Sequence, residues 1–249
     1  MSTLKDNSPH DMNKYYTTDD TGRLTLKIHG VTEIALEPEG GWYNPHYEVH
    51  RDGSVNSDLI RTHYHDEDCD EDCNGGDQDD GQVGEIHIRG KVDDVLRELV
   101  KNYPDEIDGT CGLHIHISFA KDLLSYSKLM SPKFNRYFLK RIKQWAIDNK
   151  INTDSRFYKR LEGNNTYARN IFRPLKQYRL AYKESSRYSF LNYAWTIHGT
   201  LECRLFPMFD MPHVSVSAVK EFVSIVNEYL LDNIKEPVYD LSANVDYMI

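Results

Sequence analysis

Apolar residues recur at every second position in several short stretches of the chain, the spacing of a half-buried strand. In CGLHIHISF, Leu113, Ile115 and Ile117 alternate with His114, His116 and Ser118. TLECRLF sets Leu201, Cys203 and Leu205 against Glu202 and Arg204, and GEIHIRG sets Ile86 and Ile88 against Glu85, His87 and Arg89. IALEPEG places Glu37 and Glu39 on one face, and from Arg23 the run RLTLKIHG alternates Leu24, Leu26 and Ile28 with Thr25 and Lys27. Elsewhere the period changes to that of a helix. Val92, Val95, Leu96, Leu99 and Val100 form one apolar stripe, stopped by Pro104. Ser131-Pro132 reads as an N-cap followed by proline at the first helical position, ahead of FNRYFLKRIKQWAI. SVSAVKEFVSIVNEYLL is an amphipathic helix on Val216, Val219, Phe222, Val223, Val226 and Leu230, and Asp52-Gly53 marks a turn. Strands and helices alternate loosely and the connections are hairpin-like, which predicts an α+β fold on a mostly antiparallel sheet, with helices on one face.

The other face carries unusual chemistry. Residues i and i+2 share a side of a strand. One side of the four segments therefore holds Glu37, Glu39, Glu85 and Glu202, His87, His114 and His116, and Arg89 and Arg204. An antiparallel sheet with one wet side accounts for any one of these strands. A generic wet side would use Thr, Lys, Gln and Ser. Glutamates on neighbouring strands repel unless cations sit among them. Carboxylate oxygens with imidazole suit Mg²⁺ or Mn²⁺ bridging phosphates, and an adjacent Arg suits a transferring phosphoryl group. The face reads as a platform for a metal and a nucleotide.

Composition sharpens this picture at one point. Of 39 acidic residues, nine lie between Asp66 and Asp80, and removing them leaves 30 acids against 30 bases. The net charge of −9 thus comes from one Gly- and Asp-rich insertion, 62–82, on a neutral body. The apolar content of 39%, with 17 Tyr and 9 Phe, suffices for one large domain over 23–249, behind a polar N-terminal arm at 1–22. No stretch approaches the ~20 apolar residues of a membrane span. The N-terminal residues show no apolar signal core, so a cytoplasmic, reducing setting is expected. Cys111 and Cys203 are then buried core thiols. Within the insertion, His63, His65, Cys69 and Cys73 have the donor set of a structural zinc clip, although the Cys-x₃-Cys spacing is uncommon; a plain acidic loop is the alternative.

The order Glu-x-Glu, Asp-Gly-Ser-Val, Gly-Glu-Ile, Cys-Gly-Leu-His-Ile-His-Ile-Ser and Thr-Leu-Glu-Cys-Arg-Leu-Phe resembles the amidoligases. These are common in phage and bacterial genomes and are related to glutamine synthetase and glutamate–cysteine ligase. The resemblance runs from about residue 33 to residue 230, and GLHIHIS and TLECRLF carry most of it. Pro38 departs from the family's usual Gly-Val-Glu-Ile-Glu. The resemblance implies a sheet of the glutamine synthetase type with the active site on its polar face. It implies Glu37, Glu39, Glu85, His114 and Glu202 as ligands of Mg²⁺ or Mn²⁺, and His116 near the phosphates of ATP. It further implies Arg204 and Arg187 facing the phosphoryl group or substrate, and Asp52 in the family turn. The implied reaction joins a small-molecule or peptide carboxylate to an amine through an acyl phosphate.

Two other classes compete. His116-Ile-Ser118-Phe119 and His198-Gly-Thr200-Leu201 fit the paired motif of two-histidine phosphoesterases, which leaves the glutamates unused. A non-catalytic relative that binds nucleotide or nucleic acid is the other. The segment 156–187 holds nine bases and two acids interleaved with aromatics. That suits a solvated helix face or a cover over ATP, both ranked ahead of a nucleic-acid surface.

Overall fold

The alternating segments form strands, and most of them join one sheet. The computed structural model describes residues 16–18, 24–26, 31, 33–60, 81–118, 129, 131–163, 189–194 and 200–232. Strands β1 (Tyr16–Thr18) and β2 (Leu24–Leu26) make a separate antiparallel pair, which begins inside the segment read as an arm. The main sheet contains β3 (Glu33–Trp42), β4 (Gln82–Glu85), β5 (Ile88–Gly90), β6 (Gly112–Ser118), β7 (Leu191–Ala194) and β8 (Thr200–Pro207). Its order is β4-β3-β6-β8-β7, with β5 also paired to β3, and every pairing is antiparallel. With helices α1 (Val92–Lys101), α2 (Pro132–Asp148), α3 (Arg156–Leu161) and α4 (Pro212–Asp232), this is an α+β fold on an open antiparallel sheet.

The helices form where the apolar stripes require. In α2, Ser131 caps the first turn, its hydroxyl accepting from Phe134 N at 3.1 Å, with proline at the first position as expected. The stripe of α1 is narrower than the sequence suggests. Val95, Leu96 and Leu99 are buried, but Val100 is 51% exposed, because it lies about 100° round the helix from Leu99, at the edge of the stripe. Helix α4 starts three residues before the predicted helical segment, at Pro212. It buries Val219, Phe222, Val226 and Leu230 against α1, α2 and β6. Truncating Phe222 to alanine there would cost about 3–5 kcal/mol.

Two departures from simple alternation position the polar face. First, GEIHIRG is not one strand. Residues Ile34–Leu36 of β3 pair with β5, whereas Glu39–Trp42 pair with β4, and the ladder changes partner at Pro38. Proline has no N–H to give an edge partner there, although its carbonyl accepts from Ile86 N at 3.2 Å. The break separates Glu85 from Arg89. Glu85 stays in the site, while the side chains of His87 and Arg89 are 50% and 77% exposed. Secondly, Leu113 pairs with Phe206 but Ile115 pairs with Cys203, so β8 holds one extra residue. This bulge ends the expected alternation at Leu205. Strict alternation would place Phe206 beside Glu202 and Arg204; instead it lies in register with Leu113 and packs on Trp145 and Phe157.

Candidate metal centre

The register of three central strands assembles the site. Glu37 on β3 lies opposite His114 on β6, and His116 lies opposite Glu202 on β8. Despite Pro38, β3 runs on, so Glu39 shares the face with Glu37 and lies opposite Glu85 on β4. Most of the set is buried: Glu39 is 2% exposed, His114 and Glu202 4% each, and His116 9%, while Glu37 and Glu85 are half-buried. A merely wet side would leave these groups in water, so this part of the sheet is an interior site.

His114 is its hub. Its Nδ1 lies 3.6 Å from Glu37 Oε2 and 4.0 Å from Glu202 Oε1, and its Nε2 lies 3.5 Å from Glu39 Oε1. His116 Nε2 lies 3.3 Å from the same Glu37 oxygen and 3.9 Å from Glu202 Oε1. Two groups each bring three donor atoms within 4.8 Å of one another: Glu37, His114 and Glu202, and Glu39, Glu85 and His114. Arg204 Nη1 donates to Glu202 Oε1 at 2.6 Å.

The charges are poorly balanced without a cation. Four carboxylates converge here, and Arg204 is the permanent positive charge among the expected residues. Burial pushes the Glu37 carboxyl up, but hydrogen bonding and attraction from His114 and His116 outweigh it and hold the group well below its ordinary range. Burial pushes the His116 imidazole down, yet Glu37 and Glu202 raise it overall. The Glu85 carboxyl is raised by burial, and repulsion from Glu37 and Asp52 adds to this against the pull of His87. Glu39 Oε2 accepts from Gly112 N at 2.5 Å, while its buried Oε1 has no hydrogen-bond partner. An orphaned carboxylate oxygen facing imidazole and a second carboxylate fits a hard divalent cation.

Four residues join the site that period-two reading did not select. Arg160 on α3, 3% exposed, donates to the carbonyls of Phe206 at 2.9 Å and of Cys111 and Arg204 at 3.4 Å. Burial pushes its guanidinium down to about 10, against the attraction of Glu39. Gly112 makes this approach feasible, since a Cβ there would lie 3.1 Å from Glu39 Oε2 and His114 Nε2 and 3.2 Å from Arg160 Nη1. Asn192 on β7, in register with Glu202, donates from Nδ2 to Glu202 Oε2 at 2.7 Å. Thr200 Oγ1 lies 3.2 Å from His116 Nδ1. Asp52 accepts from Ser54 N and Oγ at 2.7 and 2.8 Å through one oxygen. Burial raises its carboxyl, but the Ser54 bonds, with help from the charges of His114 and Arg204, bring it below its ordinary value. The Asp52 turn is held against β4 at Gly84, where any Cβ would lie 2.1 Å from His50 O.

Cys111 and Cys203 are buried free thiols, as expected, and burial pushes the Cys111 thiol up to about 11. Arg187, His198 and the proposed zinc ligands His63, His65, Cys69 and Cys73 lie outside the described residues, as do most of the basic segment and the acidic insertion. Among the described residues no helix is long and apolar enough to cross a membrane. The fold and centre together define an α+β protein with a buried carboxylate–imidazole cluster on its sheet. No protein-family model, curated protein or solved structure matches the chain.

Proposed function

We propose that the protein is an ATP-dependent ligase that joins a carboxylate to an amine. The observation that carries this reading is the convergence of two carboxylate sets on opposite nitrogens of a buried histidine. Glu37, His114 and Glu202 would hold one Mg²⁺ or Mn²⁺, and Glu39 and Glu85 a second. A bound cation supplies positive charge to phosphate oxygens. Arg204 adds a fixed positive charge on the same face, and His116, 3.3 Å from Glu37 and 3.9 Å from Glu202, adds an imidazole donor beside it. ATP itself comes into the proposal through the motif resemblance.

A substrate carboxylate oxygen attacks the γ-phosphorus, the bond to the β-phosphate oxygen breaks, and ADP leaves. The amine then attacks the acyl carbon, releasing phosphate and a proton. Positioning and charge neutralisation do this work, and no protein nucleophile is required. The raised thiols of Cys111 and Cys203 agree with that.

The test is an ADP-release screen of the full chain with ATP, Mg²⁺ and pairs of amino acids or peptides. The ligase reading expects ADP only when cation, carboxylate and amine are all present, with loss of the signal in Glu202→Ala. Cation-independent hydrolysis of a cyclic phosphodiester, abolished in His198→Ala, would establish the phosphoesterase instead. ATP binding without turnover, unchanged in Glu202→Ala, would establish a non-catalytic binder.

A further inference from the structure

The carboxylate of Glu202 is divided between two tasks. Its Oε1 points toward the imidazoles, 4.0 Å from His114 Nδ1 and 3.9 Å from His116 Nε2, and takes the Arg204 bond. Its Oε2 takes the amide of Asn192 at 2.7 Å. Asn192 is 7% exposed and comes from the edge strand β7, with its Cα in register with that of Glu202. Presenting both oxygens toward the imidazoles would require the carboxylate to turn and abandon the Asn192 bond. That leaves the Asn192 amide without its acceptor in a buried setting.

Cations differ in what they ask of a carboxylate. Mg²⁺ is small and holds near-octahedral geometry, whereas Ca²⁺ is larger, accepts six to eight oxygens and often takes both from one carboxylate. A glutamate held to one oxygen therefore favours the smaller ion. We propose that Asn192 is a positioning residue that restricts Glu202 to one-oxygen ligation and thereby selects Mg²⁺ or Mn²⁺ over Ca²⁺ at the Glu37–His114–Glu202 group. This rests on the cation reading of that group and adds its selectivity, which no ligand residue alone supplies. Partners that orient a metal ligand commonly matter about 10–100-fold in metal affinity.

The experiment is calorimetric titration of the full chain with Mg²⁺ and with Ca²⁺, for wild type and Asn192→Leu. Leucine keeps the branching at Cγ and removes the donor. The expected result is a fall of about tenfold or more in the ratio of Mg²⁺ to Ca²⁺ affinity, driven by tighter Ca²⁺ binding, weaker Mg²⁺ binding or both. General loosening of the site would weaken both ions alike and leave the ratio unchanged, and that result overturns the assignment to Asn192. Should the leucine variant fail to fold, Asn192→Ala reads the same ratio. Wild-type protein that binds neither ion overturns the cation reading itself.

Discussion

Between α2 and α4, Arg141 reaches Glu221 at 3.0 Å, Glu228 and the hydroxyl of Tyr137 at 3.0 Å. Glu228 also takes the Ser224 hydroxyl at 2.6 Å. On the sheet, Glu37, Glu39, Glu85 and Glu202 crowd round His114, and a buried oxygen of Glu39 has no hydrogen-bond partner. Both regions are ionic, and both join elements distant in sequence. The helix pair is partly exposed, with 29% of the Arg141 side chain in water, and its groups bond one another. The sheet cluster is deeper, richer in acid and less satisfied. The difference separates an ion network that ties two helices from one that leaves a buried carboxylate oxygen without a hydrogen-bond partner. Exposed or half-exposed pairs contribute up to about 1 kcal/mol, whereas unmatched buried carboxylates cost stability and persist where function requires them.

Substitutions that treat the two regions alike should expose this contrast. The largest effect is on catalysis. His114→Ala or Glu202→Ala should lower Mg²⁺-dependent ADP release by roughly 10²–10³-fold or more, with the circular dichroism spectrum retained. Full activity in either variant removes the proposed site. Next comes an effect of opposite sign on stability. Glu39→Gln keeps an acceptor for Gly112 N and replaces a buried carboxylate whose Oε1 has no hydrogen-bond partner. It should raise cation-free stability by about 1 kcal/mol, or about 2–4 °C in Tm, while weakening cation binding. A fall in Tm would show that Arg160 and His114 already balance that charge.

The pH profile is a further test. The Glu37 carboxyl is depressed, so its contribution is present above its unfolded value near 4.3 and lost as pH falls through the folded value. The His116 imidazole is raised, so its contribution is full below about 6.5 and lost as pH rises through the folded value. Cation-free protein should therefore be most stable between roughly pH 4.5 and 6.5 and should weaken above that range. Thermal melts across pH check it; a profile flat through neutrality would mean that His116 is not held charged. The smallest effect belongs to the helix pair. Arg141→Met should cost no more than about 1 kcal/mol in chemical denaturation and leave cation binding untouched.

The site was more legible than its surroundings, for a geometric reason. Period-two alternation fixes which side of a strand a residue faces, and pairing then needs only the right register. Glu37, His114, His116, Glu202 and Arg204 were therefore readable from three short strings. Glu39 was readable as well, because an edge partner changes at Pro38 while the strand itself continues. The break after Glu85 and the bulge in β8 were not, since both arise from contacts with neighbouring strands. Arg160 was hidden in a basic run, and only the fold brings its guanidinium, 46 residues away in sequence, to the Phe206 carbonyl. Asn192 left a fainter trace: a polar residue between Leu191 and Tyr193, repeating the alternation of the other strands.

Mn²⁺ diffraction reads the proposed cation site directly. Crystals of the full chain grown with Mn²⁺ and a non-hydrolysable ATP analogue should show anomalous density among Glu37, His114 and Glu202. A second peak is expected beside Glu39 and Glu85. Clear density for all these side chains with no anomalous signal, the carboxylates bridged by histidinium alone, would contradict the account.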